Sequence, residues 1–325
     1  MAESAKALRT RWLSAEGVDR AERVVECLTA GSPLTEIGFG CVDGLVDLRG
    51  MTLRERDMTR TDVGAVTAEV MTGLIELRGV ALEGVDLSHA RLPSLRVFDS
   101  KIAESRFDGA HLGDFRVWNV EVARTSFRGA NLRHAVLGAW DDGRGNVYTQ
   151  VDFTGADLRG LVSPAATYID CDFSEARLDG IDFQSSAFTR CRFAGELRDV
   201  IFWDHGFRTG KPDPNRMEDV DFTDAVLRFV EFRRLDLDRV KFPTSAEHLV
   251  VNGYRCVLEC ALASLEEERS VSGRRARALI EHRLKWCGSN QGVGVFHSEE
   301  LGETPEDTAV VRDLLRQCEA TCAEP

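Results

Sequence analysis

A large apolar residue returns at every fifth position through most of this chain, and few folds can use a period of five. The beat runs unbroken through Leu77, Leu82, Leu87, Leu92, Val97, Ile102, Phe107, Leu112, Val117, Val122, Phe127, Leu132 and Leu137. It resumes at Phe153, Leu158, Tyr168, Phe173, Leu178, Phe183, Phe188 and Phe193, with Ser163 as one polar miss. It then shifts by one residue to Leu197, Phe202 and Phe207, and returns as Phe222, Leu227, Phe232, Leu237 and Phe242. An earlier fragment reads Leu48, Leu53, Met58 and Val63.

Neither regular element accommodates this spacing. On an α-helix five residues advance about 500°, so successive large residues fall about 140° apart and form no face. In a flat strand five is odd, and successive large residues alternate sides. The pattern works if every unit contains its own bend. The position two before each large residue is nearly always small or β-branched, as in Val80, Val85, Ala90, Ser100, Ser105, Ala110, Thr125, Ala130 and Ala135. On an extended segment these two positions point the same way, into a core. The other three are polar or glycine and turn the chain. Each unit is then one side and one corner of a coil, and stacked coils bury a continuous apolar column.

The segments VALEGVDLSHARL, FRGANLRHAVL, VDFTGADLRGL and CDFSEARLDGIDF resemble the A(D/N)LXX units of pentapeptide-repeat proteins over roughly residues 46–242. The resemblance implies an all-β solenoid, a right-handed quadrilateral β-helix with four units per coil. Strand spacing of about 4.8 Å sets the rise between coils. The flanks read differently. Residues 1–35 predict a helical cap of two short helices, 36–242 the β-helix, and 243–325 a mainly helical segment. Its predicted elements are helices over Tyr254–Glu267 and Arg274–Trp286, a strand in SNQGVGVFH, and a last helix from Pro305 with Thr304 as N-cap and Asp307 at the capping-box position.

No apolar run approaches a membrane span and the N-terminus lacks a signal-peptide core, which predicts a soluble cytoplasmic protein. Cys171 and Cys191 occupy inward positions and read as free core thiols. Cys256 with Cys260, and Cys318 with Cys322, lie four apart on predicted helices. A zinc site with His282, Cys287 and His297 would need a CxxC or CxxxH pair, and there is none, so these read as buried helix-face cysteines with no metal and no cofactor. No nucleophile is placed beside a base, and the chain reads as a non-catalytic binding protein.

Relatives in the resembling family bind DNA gyrase or topoisomerase IV as acidic mimics of duplex DNA, and the net charge of −13 invites the same expectation here. The charge is uneven. From Ile75 to Leu137 there are nine Lys/Arg against eight Asp/Glu, and from Val151 to Phe207 five against ten. An acidic partner-binding surface would therefore use Asp152, Asp157, Asp172 and Asp182 in the second half of the rod.

Two interruptions break the beat. One is AWDDGRGNVYT within 138–150, and the other contains TGKPDPNRMED within 208–219. Glycine, proline and aspartate mark both as exposed loops. Four units per coil place centres 77, 97, 117, 137, 168, 188 and 207 on one side and send both loops from one corner. The outward residues of that side include Phe98, Trp118, Val136 and Ile169, an apolar strip beside a loop carrying Trp140, Asp141 and Asp142. Such a strip calls for a cover: the protein's own tail, a second copy in a homodimer, or a protein partner. Two alternatives to DNA mimicry follow. One is a protein-interaction scaffold using strip and loops; the other is an enzyme with a pocket between rod, loops and tail. Neither involves direct nucleic-acid binding or a membrane.

Overall fold

The computed structural model describes residues 3–30, 32, 34, 37–52, 75–141, 143–205 and 215–323. Its centre is a stack of parallel coils in which residues twenty apart pair: Leu77 with Val97 and Val97 with Val117, and Leu82 with Ile102 and Ile102 with Val122. Five residues make one side and four sides one coil. Side 1 carries Leu77, Val97, Val117 and Leu137, side 2 Leu82, Ile102 and Val122, side 3 Leu87, Phe107 and Phe127, and side 4 Leu92, Leu112 and Leu132. All thirteen of these centres are buried.

The corner inside each unit is explicit. The residue two after a centre takes positive φ, as at Asp99 (49°), Glu104 (50°), Asp114 (58°), Asn119 (54°) and Arg124 (46°), or is glycine, as at Gly109 (61°) and Gly129 (60°). This left-handed residue turns the strand through the corner, and its N–H donates to the next coil, as Asp99 does to the Trp118 carbonyl at 3.0 Å. Inside, aromatic rings of one side stack coil upon coil. Phe107, Phe127, Phe153, Phe173, Phe193 and Phe222 follow one another with centroids 4.9, 5.5, 5.0, 4.8 and 4.8 Å apart.

Two register assignments differ from the sequence expectation. Tyr148 is itself a centre: it pairs with Val122 below and Tyr168 above on side 2. The first interruption therefore holds six extra residues rather than eleven, and Val147–Thr149 is a strand, not loop. Ser163 then falls on side 1 after Leu137, because Val136 bridges Val162. Ser163 is no miss. It is fully buried and shares a 2.7 Å hydrogen bond with the Tyr168 hydroxyl. Side 1 continues through Phe183, Phe202 and Phe232. Beyond them, Met217 pairs with Phe188 on side 2, so the second interruption falls between Trp203 and Met217 rather than at 208–219. Phe207, Arg208, Leu53, Met58 and Val63 lie outside the described residues. Both interruptions still run from side 1 to side 2, and so leave the same corner three coils apart.

Helices α1 (Ala5–Arg11) and α2 (Ala15–Ala30) close the first end. Trp12 is fully buried, its indole N–H donating to the Arg49 carbonyl, and Val24 and Leu28 join the same core as Leu48 and Leu77. At the other end, a two-stranded antiparallel ribbon (His248–Asn252 with Val293–His297) packs with α3 (Tyr254–Ser264), α4 (Val271–Trp286), α5 (Ser298–Leu301) and α6 (Pro305–Ala323) around a second core. The His248 strand carries no signal that the sequence reading used. The four helix cysteines meet as Cys256–Cys322 and Cys260–Cys318 disulfides rather than standing as separate thiols. Thiols paired across two packed helices need only matching one-turn spacing on each, which the two CxxxC pairs have. Cys171 and Cys191 are free and buried.

The tail docks through buried polar groups. Arg283 pairs with Glu300 and donates to the Val230 carbonyl of the last coil at 3.1 Å. His248 Nε2 accepts the Leu227 N–H at 3.0 Å, so the neutral ring carries its proton on Nδ1 and donates to Ser245 Oγ at 2.8 Å. Burial, with the neighbouring His297 and Arg228, lowers His248 to about 4. Burial also lowers His297.

Two expectations follow. Phe173, fully buried in the ring stack, should lose about 3–5 kcal/mol of stability as Phe173→Ala, read from urea unfolding. Because His248 binds its proton more weakly folded than unfolded, its stabilisation is present above pH about 6.5 and is lost as pH falls towards about 4. Urea midpoints at the two ends of that window should therefore differ less in His248→Gln than in the parent protein. Equal pH dependence in both would refute the assignment.

Candidate partner-binding surface

The outward residues of side 1 form two columns. The column following the centres reads Arg78, Phe98, Trp118, Gly138, Pro164, Gln184, Trp203 and Arg233, and the column preceding them Glu76, Arg96, Arg116, Val136, Val162, Asp182, Ile201 and Glu231. Strand pairs and bridges fix most steps, such as Phe98 on Trp118, Arg116 on Val136 and Gln184 on Trp203, and the Ala165 N–H on the Gln184 carbonyl at 2.7 Å carries the columns from Pro164 to Gln184. The Phe98 and Trp118 rings lie 4.6 Å apart and 5° from parallel, and the Arg78 guanidinium caps the stack 3.9 Å from the Phe98 centroid. The pair thus stands one coil apart on one side, as the twenty-residue spacing predicts. Val162 continues the strip with 49% of its surface exposed.

Ile169 does not belong to this strip. It lies on side 2, paired with Thr149 and Thr189, because the Tyr148 centre advances every later residue by one side. Val162 and Pro164 take the place assigned to it. Counting the beat backward from Phe153 to Tyr148 would have found them.

The first interruption folds as a small hairpin at the adjoining corner. Trp140 pairs with Gly145 and Asp141 with Arg144, and Gly143 at the tip has φ 76°. Asp142 lies outside the described residues. The base is sealed by Asn146, fully buried, whose amide accepts the Val120 N–H and donates to the Val117 and Leu137 carbonyls, each at 2.9 Å. The Tyr148 hydroxyl donates to the Leu137 carbonyl at 2.7 Å. Gly138 starts the hairpin where the next coil comes closest: a Cβ there would sit 2.3 Å from the Pro164 carbonyl oxygen.

At its far end the strip is covered by the tail. Trp286 at the end of α4 packs on Trp203 with centroids 5.2 Å apart, and the Arg233 guanidinium lies 4.7 Å from both rings. His282 reaches Glu231 at 3.0 Å. Among the described residues, no tail side chain is seen stacked on or bonded to Phe98, Trp118 or Val162.

The four aspartates chosen for an acidic surface do not share a face. Asp152 and Asp172 stack on side 3, Asp157 is on side 4 and Asp182 on side 1. Asp152 meets Arg128 at 2.6 Å. Burial pushes its carboxyl up, but hydrogen bonds from Thr154 and Arg128 leave it below the usual value. Asp157 is held down by Arg159 at 2.6 Å, with Arg177 at 3.7 Å. Asp182 is pushed up by burial; it accepts from Gln184, and its Oδ1 has no hydrogen-bond partner among the described residues. Along the corner after side 2, carboxylates and arginines alternate as pairs: Glu104 with Arg124 at 2.7 Å, Asp170 with Arg190 at 2.6 Å, and Asp219 with Arg239.

A polar cleft of about 530 Å³ lies where the second interruption, the last coils and the tail meet, with Asp204, Asn215, Arg216, Arg234, Asp236 and Gln291 in its wall. Among the described residues that wall carries no histidine or cysteine.

Five residues to a side, four sides to a coil and a large apolar centre in each side are the architecture that the resemblance to pentapeptide-repeat proteins implies. No family model and no curated protein matches the sequence. Solved structures to which it is similar include Rfr23, a pentapeptide repeat protein of the cyanobacterium Cyanothece, at 12% identity over 51% of this chain and 90% of that one, with a TM-score of 0.25. QnrB1, a plasmid-mediated fluoroquinolone resistance protein, matches at 15% identity over 57% and 91%, TM-score 0.21. HetL, a pentapeptide repeat protein of Nostoc involved in heterocyst differentiation regulation, matches at 15% over 52% and 83%, TM-score 0.17. Overlays at these scores carry no argument, and the coil is defined by its own strand pairs.

The close approach at Gly138 gives a direct check of the hairpin corner. Gly138→Ala should cost on the order of 1–3 kcal/mol by forcing the two coils apart, measured as a shift in urea midpoint. An unchanged midpoint would show that the corner has room.

Proposed function

We propose that this protein is a non-catalytic binding protein whose partner, another protein, lies along side 1 of the β-helix. The parallel crossovers of such a coil favour the right-handed sense. The observation that carries the proposal is the open part of the strip. Arg78, Phe98 and Trp118 form a stacked ladder that continues into Val136, Val162 and Pro164, and among the described residues the tail covers only its continuation at Trp203. A stacked pair left in water keeps much of its apolar area hydrated, and covering that area is worth about 25 cal/mol per Å². Aromatic and arginine side chains of this kind dominate binding energy at protein interfaces.

The more specific reading is a partial mimic of DNA that engages DNA gyrase or topoisomerase IV in the cytoplasm, serving in antibiotic resistance. Net charge and the repeat support it, but the arrangement of the charge speaks against it. Asp152 and Asp157 are paired with arginine, and the four chosen aspartates are divided among three sides.

One pair of variants separates the readings. Phe98→Ser with Trp118→Ser should leave the rod folded, at a cost of about 0.5–1.5 kcal/mol or somewhat more for the lost ring stack. It should abolish capture of the partner from a bacterial lysate, and capture by the parent should survive high salt, which screens charge but not apolar contact. Reversal of Asp152, Asp157, Asp172 and Asp182 to lysine should leave capture unchanged. If the charge-reversed protein instead loses an effect on gyrase supercoiling that the serine variant keeps, the mimicry reading replaces this one. A parent protein that sediments as a dimer, and a serine variant that does not, would make a second copy the partner.

A further inference from the structure

Two disulfides tie α6 to α3, and their surroundings differ. Cys256 and Cys260 are one turn apart on α3, Cys318 and Cys322 one turn apart on α6, and the pairs Cys256–Cys322 and Cys260–Cys318 have Cα separations of 6.1 and 5.7 Å. Bonds one turn apart fix both the position and the rotation of α6. Cys318 is 3% exposed, inside the second core with Leu258 and Leu315. Cys256 is exposed and edges an open cleft with Gly253, Arg255, Glu259 and the turn at 289–292. Exchange requires a thiolate to reach a disulfide sulfur. Cys260 is half-buried against the second core and its partner Cys318 is buried, so the exposed Cys256 sulfur offers the freer access.

We propose that Cys256–Cys322 is a reversible thiol–disulfide exchange site for a dithiol reductant, and that Cys260–Cys318 is its permanent structural neighbour. The reductant's thiolate attacks the Cys256 sulfur from the cleft. The bond to Cys322 breaks, and Cys322 leaves as a thiolate that takes a proton. The reductant's second thiolate then displaces Cys256, so two electrons and two protons end on the protein and the reductant leaves as a disulfide. A small disulfide such as oxidised glutathione reverses the step by the same exchange.

Opening the outer bond acts on the last turn of α6. The Cys322 Cβ lies 3.9 Å from where a Cβ on Gly253 would be, so this turn packs on the cleft's edge. Glu319 then holds it to the end of the ribbon by hydrogen bonds from the Asn252 backbone (2.7 Å) and side chain (3.0 Å). Without the bond the final turn can fray from Gly253 and widen the cleft, while Cys260–Cys318 and the buried Val311 and Leu315 keep the rest of α6 in place. In a reducing compartment the outer pair would rest open, and in an oxidising one closed.

The test uses the oxidised full-length protein, treated under native conditions with graded dithiothreitol, quenched with acid and alkylated for peptide mass spectrometry. Cys256 and Cys322 should become alkylated at a reductant concentration on the order of ten-fold below that needed for Cys260 and Cys318. Amide exchange should rise over 319–323 in the same step, stay low over 311–315, and return on adding oxidised glutathione. Cys256→Ser with Cys322→Ser should show the raised exchange without reductant. Cys260→Ser with Cys318→Ser should leave the outer bond reducible, which keeps the test open if the first variant folds poorly. Simultaneous opening of both bonds, earlier opening of Cys260–Cys318, or unchanged exchange over 319–323 after the outer bond opens would overturn the proposal.

Discussion

Everything in the rod depends on one backbone constraint: the residue two after nearly every centre sits in the left-handed region. For residues such as Asp99, Glu104, Arg124 and Arg190 that conformation costs about 1–2 kcal/mol each. It is offset only when a neighbouring coil is present. The corner N–H then finds a carbonyl one coil away, as Glu104 finds Ala123 at 3.0 Å and Arg124 finds Thr149 at 2.9 Å, and the centre beside it is buried. A single coil would carry the strain without the compensation. The coils therefore form together, and the ends of the stack must be closed by other material. Trp12 and α2 do this at one end and Arg283 with the tail ribbon at the other.

The same constraint decides where the chain tolerates insertions. A side has no slack, because its N–H and C=O groups are committed to the coils above and below. A corner can be opened if the groups it exposes are satisfied. Asn146 shows how: one buried amide replaces three backbone partners where the hairpin leaves the rod, and Tyr148 covers a further lone pair of the Leu137 carbonyl. Both interruptions use the corner between sides 1 and 2. The cleft beside the second and the open strip beside the first consequently share one region of the surface.

The period of five made the coil legible from the sequence, and Phe98 over Trp118 followed once the family resemblance supplied four units to a coil. What stayed hidden was register after an insertion. Tyr148 looked like part of a loop because glycine and aspartate precede it, and Ser163 looked like an error because a hydroxyl is unexpected in a core. The Ser163–Tyr168 hydrogen bond explains that choice, since each hydroxyl satisfies the other out of water. One misplaced centre moved Ile169 onto the strip and Val162 off it. The disulfides were hidden for a different reason. Spacing of four on a helix shows that two cysteines share a face, but not which other helix that face meets.

Net charge proved the least informative quantity for the surface, and the reason lies in the columns. Residues twenty apart in sequence become neighbours about 4.8 Å apart in space. Like charges in adjacent coils would repel, and along the corner after side 2 they alternate instead, Glu104 with Arg124 and Asp170 with Arg190. An acidic total is then compatible with a rod in which carboxylates such as Asp152, Asp157 and Asp170 are held by their own arginines. An outward aromatic has no such neighbour to neutralise it. Phe98 and Trp118 satisfy each other's faces, and Arg78 the last one, but their edges still meet water. Exposed carboxylates are hydrated at no cost, whereas that apolar edge gains only when something covers it, and it is the feature that most requires a partner from outside.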